Sequence, residues 1–209
     1  MTQREGKLKT ELLPHQQRVV ERIQQQPGLV VAHGLGSGKT LTSIASQTAL
    51  GMPTTVVAPA ALLGNYRKEQ ERHLEGPRKK TELQSLQQAA LQGAVLPNPL
   101  LIVDEAHRLR DTSTKAHQAV ASNEAEKRLL LTGSPFYNHP SDIAPLVNIA
   151  AGERVLPTDR TEFEKRYITE QKINPGLWGR LVRGETAGTI SKLNPSKAGE
   201  LQKNIWTMG

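Results

Sequence analysis

The eight residues from His33 to Thr40, HGLGSGKT, constrain this chain more than any other stretch. An apolar run, Leu29-Val30-Val31-Ala32, precedes them and reads as a buried parallel strand. Behind them Leu41, Ile44, Ala45 and Thr48 recur at helical spacing. Strand, glycine-rich turn and helix together form the context that a phosphate-binding loop requires. Gly36 and Gly38 let the backbone curl so that successive N–H groups converge on anionic oxygens, and the new helix adds its positive end. The predicted cradle runs through Gly34, Leu35, Gly36, Ser37 and Gly38. Lys39 is placed to reach the outer phosphates, and the Thr40 hydroxyl to ligate magnesium. One departure from the general pattern is His33, which stands where glycine is usual.

A second constellation ends the most apolar run of the chain. Leu100-Leu101-Ile102-Val103 predicts a central strand buried on both faces, and Asp104-Glu105-Ala106-His107 follows at its carboxyl end. Ligands of open parallel sheets gather beyond that end of the strands. Two adjacent acids there are costly to bury without a cation partner. In a chain with a phosphate loop they divide the work: Asp104 holds magnesium through its water shell, and Glu105 orients and deprotonates an attacking water. A third strand end, Thr132-Gly133-Ser134-Pro135, offers small hydroxyl groups that can bridge a nucleotide site to a neighbouring element, although alone it would be an ordinary turn. Upstream, Gln16 in Leu12-Leu13-Pro14-His15-Gln16 has one donor and one acceptor, which match the edge of adenine.

The remaining pattern is α/β. Strands are expected near 29–33, 54–58, 100–103 and 129–132, with a shorter one at 81–84. Helices are expected from Pro14, from about Leu62, over Leu86–Gln92, from 106 through about Ser122, and from a cap at Ser141 or Asp142 to Gly152. This predicts a three-layer sandwich around a mostly parallel sheet, in which Lys39, Asp104 and Thr132 meet at one edge. Residues 1–10 read as a mobile basic lead-in and 11–152 as the main lobe. Residues 153–209 read as a basic, loop-rich appendage without buried strands, with short helices near Glu162–Tyr167 and Ala198–Ile205.

Composition narrows the function classes. An aromatic content of 3% makes the core aliphatic, and the absence of cysteine excludes disulfides and cysteine-ligated zinc. No run reaches membrane-spanning length, and the polar start MTQREGKLK lacks a signal-peptide apolar region, so a cytosolic or nucleoid-associated protein without a membrane partner is expected. A net charge of +7 favours polyanion partners, although a basic surface can equally be a solvated one.

With GSGKT, DEAH and LTGSP each at a strand end, the chain resembles the first RecA-like lobe of a superfamily-two helicase or translocase. LLPHQ is similar to the adenine-reading Q motif of the Swi/Snf-type branch. VVAPAALLGNYRKE is similar to its motif Ia, with Tyr66 where Trp is usual, and LTGSPFYN to its motif III and the segment after it, with Asn138 matching. TEFEKRY resembles a segment late in that lobe. The resemblance covers roughly residues 11–167 and implies ATP and Mg2+ as cofactors. It gives Lys39 and Thr40 to phosphate and metal, Asp104 to the metal and Glu105 to the base. It also implies coupling of the ATP site to nucleic acid through His107 and Thr132. Duplex DNA phosphates would lie along Ala60, Ala61, Arg67 and Lys68. The family works with two lobes, the second supplying arginine fingers, and no paired-arginine motif of the kind Q-x-x-R-x-x-R follows LTGSP; Arg180 and Arg183 fit no such pattern. The expectation is therefore an ATP-binding half completed by a second lobe in trans or in a longer chain. Its alternatives are a binding module that grips ATP and nucleic acid without turnover, or an unrelated P-loop ATPase, against which LTGSPFYN and LLPHQ argue.

Overall fold

The computed structural model describes residues 6–76, 80–92, 96–134, 139–173, 188–194 and 205–207. Its centre is a six-stranded, all-parallel sheet. In chain order the strands are β2 (Gly28–Ala32), β3 (Thr54–Ala58), β5 (Thr81–Ser85), β6 (Leu100–Val103), β7 (Lys127–Thr132) and β10 (Ile205–Thr207). Their spatial order is β10-β2-β7-β6-β3-β5. Two short antiparallel pairs lie outside this sheet: β1 (Lys7–Leu8) with β4 (Leu74–Glu75), and β8 (Ile168–Ile173) with β9 (Gly188–Leu193).

The inner strands β2 and β6 carry no polar side chain because helices cover both faces, and side-chain alternation feeds two cores. Leu29, Val31, Val56, Leu100, Ile102, Leu129 and Leu131 pack with Val19 and Ile23 of α1 (Pro14–Gln25), Ile44 of α2 (Lys39–Leu50) and Tyr66 of α3 (Ala60–His73). The alternate residues Val30, Val57, Leu101, Val103 and Leu130 pack with the other layer. That layer comprises α4 (Leu86–Gln92), α5 (Lys115–Ala121), α6 (Ala144–Ala151) and α7 (Arg160–Tyr167). Gly28 is what lets α6 approach β2, since a Cβ there would lie 1.8 Å from the Ala150 carbonyl oxygen.

Several expectations change. Lys7 to Thr10 are tied down rather than a free lead-in: β1 pairs with β4, the Lys9 amide donates to the His73 carbonyl at 2.8 Å, and the Thr10 hydroxyl meets His73 Nδ1 at 2.6 Å. The lobe does not stop at residue 152. Phe163 and Tyr167 of α7 are fully buried in the core, with ring centroids 5.0 Å apart. Strands do follow LTGSP, because β8 and β9 pair with each other and β10 adds a sixth strand beside β2. Leu62 is not the start of α3, which begins at Ala60. The helix expected from 106 to 122 divides into a 3-10 turn at Ala106–Leu109 and α5, capped by the Thr114 hydroxyl. The cap near 141 is His139, whose ring accepts from the Ser141 amide. The basic cluster Arg78–Lys79, the segment Pro135–Asn138, Arg180, Arg183 and residues 198–204 of the expected last helix lie outside the described residues. Among the described residues no helix is long and apolar enough to cross a membrane.

Candidate nucleotide site

Strands β2, β7 and β6 are adjacent, so the turns that leave them open on one edge of the sheet. Gly36 and Gly38 take φ values of +78° and +74°, the left-handed backbone that only glycine adopts without strain. Gly38 starts α2, and no side chain caps that end, which leaves the first amides of the helix for an anion. The loop is braced by the Ser37 hydroxyl, which donates to the Gly34 carbonyl at 2.8 Å. Lys39 folds back over it, donating from Nζ to the carbonyls of His33 and Gly34, both at 3.1 Å. A Cβ on Gly133 would stand 3.6 Å from that ammonium, which puts the turn after β7 directly beside the loop. The His33 amide donates to the Thr132 carbonyl at 3.1 Å and keeps β2 and β7 in step past their last paired residues.

Gln16, expected to read adenine, makes bonds within the chain. Its amide is buried and both ends are engaged within the chain: Oε1 accepts from the Leu13 amide at 2.9 Å, and Nε2 donates to the Ser37 carbonyl at 3.1 Å. His15 Nε2 meets the same carbonyl at 3.0 Å, and its ring stands edge-on to His33, with centroids 5.1 Å apart. The segment before α1 therefore holds the shape of the loop. Leu35 at the loop tip is 92% exposed.

A cleft of about 350 Å³ joins the loop to the acidic strand end. Gly36, Gly38, Lys39 and Thr40 line one side, Asp104 and Glu105 another, and Leu62, Asn65 and Tyr66 of α3 the third. Asp104 is almost buried, and its Oδ1 accepts from the Glu105 amide at 2.9 Å. Burial raises the pKa of its carboxyl above the ordinary range; the Glu105 amide, Lys39 and His107 pull it back, and the Glu105 charge adds to the rise. An acid buried to this degree is the environment a bound cation would relieve. The oxygens of Thr40 and Asp104 are hard donors suited to magnesium. The described residues hold no cluster of three His, Cys, Asp or Glu side chains able to bind a metal alone. A cation here would complete its shell with phosphate and water.

Glu105 carries the one non-glycine positive φ of the described residues, +52°. That conformation costs a non-glycine residue about 1–2 kcal/mol and is typical of a side chain aimed for function. Its Oε2 lies 3.2 Å from His107 Nδ1, which in turn lies 3.3 Å from the Thr132 hydroxyl. The Thr132 oxygen also accepts from the Ser134 amide at 3.1 Å. Glu105, His107 and Thr132 are thus in contact. Ala60 and Ala61 open α3 beyond the end of β3, and Arg67 and Lys68 are exposed further along the same helix. Sequence reasoning noted Tyr66 only as a Trp replacement and missed Asn65. The signal for Tyr66 was its position as the lone aromatic in a polar helix, AALLGNYRKEQERH.

The model of the SNF2-related domain matches residues 84–194, more than half of the chain. The chain belongs to the SNF2-related domain family. Among the relatives of this SNF2-related domain is a protein of Acanthamoeba polyphaga mimivirus named as an ATP-dependent RNA helicase. It is 30% identical over 178 residues, which are 80% of this chain and 40% of that protein. Another is the mouse (Mus musculus) DNA repair and recombination protein RAD54B, 30% identical over 225 residues, covering 81% of this chain and 25% of the relative. The chain therefore spans well under half the length of these relatives. The Sulfolobus solfataricus SWI2/SNF2 ATPase core, solved in complex with dsDNA, shares the fold: TM-score 0.66, 18% identity, 96% of this chain and 45% of that one. The parallel sheet between helical layers is thus the fold of that SWI2/SNF2 ATPase core.

Proposed function

We propose that this SNF2-related lobe binds ATP with magnesium in the cleft between the 34–40 loop and Asp104, and that a second RecA-like lobe completes it as a nucleic-acid-dependent ATPase. The observation that carries the reading is that Lys39, Thr40, Asp104 and Glu105 line one cleft although they come from two separate strand ends. In this reading the loop amides and the start of α2 hold the phosphates, and Lys39 swings from the His33 and Gly34 carbonyls onto them. Thr40 and Asp104 hold magnesium, which when bound neutralises charge on the phosphate oxygens. Glu105 orients the attacking water and accepts its proton. His107 and Thr132 pass the state of Glu105 to the turn after β7. Gln16 acts first by fixing the loop, and meets adenine only through donor capacity left over from Ser37.

Duplex DNA is the proposed polyanion, contacted at its phosphates by Arg67, Lys68 and the backbone at Ala60 and Ala61. Closure of a second lobe would exclude water from the cleft and bring arginine fingers, worth roughly 10³–10⁵ in rate. The experiment measures ATP affinity and turnover for the parent chain, Lys39→Ala and Glu105→Gln, with and without duplex DNA, and with a matched second lobe fused after Gly209. Lys39→Ala should weaken ATP binding about tenfold to a hundredfold. Glu105→Gln should keep the nucleotide and lose turnover in the fused protein. Equal loss of binding in both variants would refute the assigned roles.

A further inference from the structure

Beyond the four residues named above, the cleft has a third wall, supplied by α3 through Tyr66 and Asn65. Tyr66 is 2% exposed, and its hydroxyl lies 2.9 Å from the Ser43 hydroxyl of α2. Ser43 also donates to the Thr40 carbonyl, at 2.8 Å. A serine hydroxyl has one proton to give. With that proton on the Thr40 carbonyl, Tyr66 must be the donor to Ser43. The bonds therefore run one way: Tyr66 O–H to Ser43, and Ser43 O–H to the backbone of Thr40. Tyr66 also lines the cleft that Thr40 and Asp104 line. One side chain from a neighbouring helix is thus linked to Thr40 and shares the cleft with Asp104, the two residues to which the proposed function gives the metal.

We propose that Tyr66 is a positioning residue for the magnesium end of the site: through Ser43 it fixes the first turn of α2 at Thr40, in the cleft that Asp104 also lines. The proposal rests on the nucleotide reading above. It differs from the ordinary account of a buried phenol, in which any partner for the hydroxyl would serve and only stability would depend on it. A lost hydrogen bond should loosen Thr40 without removing it, so the effect belongs to the metal rather than to the phosphate cradle. The link also joins the site to α3, whose next residues, Arg67 and Lys68, face solvent.

The test titrates Mg2+ against a fluorescent ATP analogue for the parent chain, Tyr66→Phe, Ser43→Ala and their double variant, with the same analogue measured in EDTA and a thermal melt for each protein. The midpoint in Mg2+ should rise about five- to tenfold in either single variant. Affinity in EDTA should not change, and the double variant should shift no further than the larger single one, because both act through one chain of bonds. Should Tyr66→Phe fail to fold, Ser43→Ala reports the same relay. A lower melting temperature with an unchanged Mg2+ midpoint would overturn the proposal and leave the bond purely structural. Lys39→Ala included alongside separates the two levels: if it bound the analogue as the parent does, the nucleotide reading itself would fail.

Discussion

Replacing Gly38 by alanine tests how the segment before α1 governs the phosphate loop. Gly38 has a φ of +74°, and an alanine held there costs about 1–2 kcal/mol. The new methyl would also stand 2.4 Å from Gln16 Nε2, too close for any real contact. The atom struck is the far end of a flexible side chain, so Gln16 would yield rather than the backbone. In yielding it would lose its bonds to the Ser37 carbonyl and the Leu13 amide, each worth about 0.5–1.5 kcal/mol. Gly38→Ala should therefore destabilise by about 2–5 kcal/mol, and Gln16→Ala alone by about 1–3 kcal/mol. In the double variant the clash is gone and the two bonds can be lost only once. It should be no less stable than Gly38→Ala by itself, a coupling of about 1–3 kcal/mol. Urea unfolding and thermal melts of the four proteins measure this, with about 2–4 °C expected per kcal/mol in a chain of this length. Full additivity of the two single losses would show that the methyl and the amide do not meet, and would refute the bracing role of Gln16.

Three further outcomes are expected. Gly28→Ala should be strongly destabilising, by about 3 kcal/mol or more, because a methyl 1.8 Å from the Ala150 carbonyl must push α6 off the sheet; a melting temperature within 2 °C (roughly 1 kcal/mol) of the parent would contradict that packing. Burial, then the charges of His15, Lys39 and Arg18, lowers the pKa of His33 below its ordinary 6.5, so the unfolded chain takes up its proton first. The stability this gives is present above about pH 6.5 and lost as pH falls through the folded value; His33→Gln should flatten the fall in melting temperature below about pH 6.5, and an unchanged slope would refute this account. Nucleic-acid binding should weaken linearly in log salt, and Arg67→Ala or Lys68→Ala should each reduce the slope by about 0.9; unaltered slopes in filter binding would remove α3 from the proposed track.

The loop, the acidic strand end and the strands around them were legible from the sequence because their signals are local. A phosphate loop needs glycine at fixed offsets from a strand and a helix, and a strand covered on both faces reads as a nearly continuous run of apolar and β-branched residues. From those two rules Gly28–Ala32, Thr54–Ala58, Leu100–Val103 and the helix after Lys39 follow within a residue or so. Convergence of Lys39 and Asp104 also followed, since ligands lie at the carboxyl ends of parallel strands. Other features depended on partners far away in the chain. Ile205–Thr207 carries too little pattern to mark a strand until the open edge of β2 offers it a ladder. Lys7–Leu8 likewise becomes a strand only when Leu74–Glu75 pairs with it. The polar helix Arg160–Tyr167 reads as surface, yet Phe163 and Tyr167 fill the core beneath it. Gln16 was recognised by its motif, but which groups its amide would meet depended on where Ser37 came to rest. Tyr66 shows the same division: its sequence position marks it as unusual, and only packing α3 against α2 puts its hydroxyl on Ser43, one bond from Thr40. Local chemistry is written in residue type and spacing, whereas the partner of a buried polar group is decided when separate elements meet, because only then does that group lose water and need a replacement.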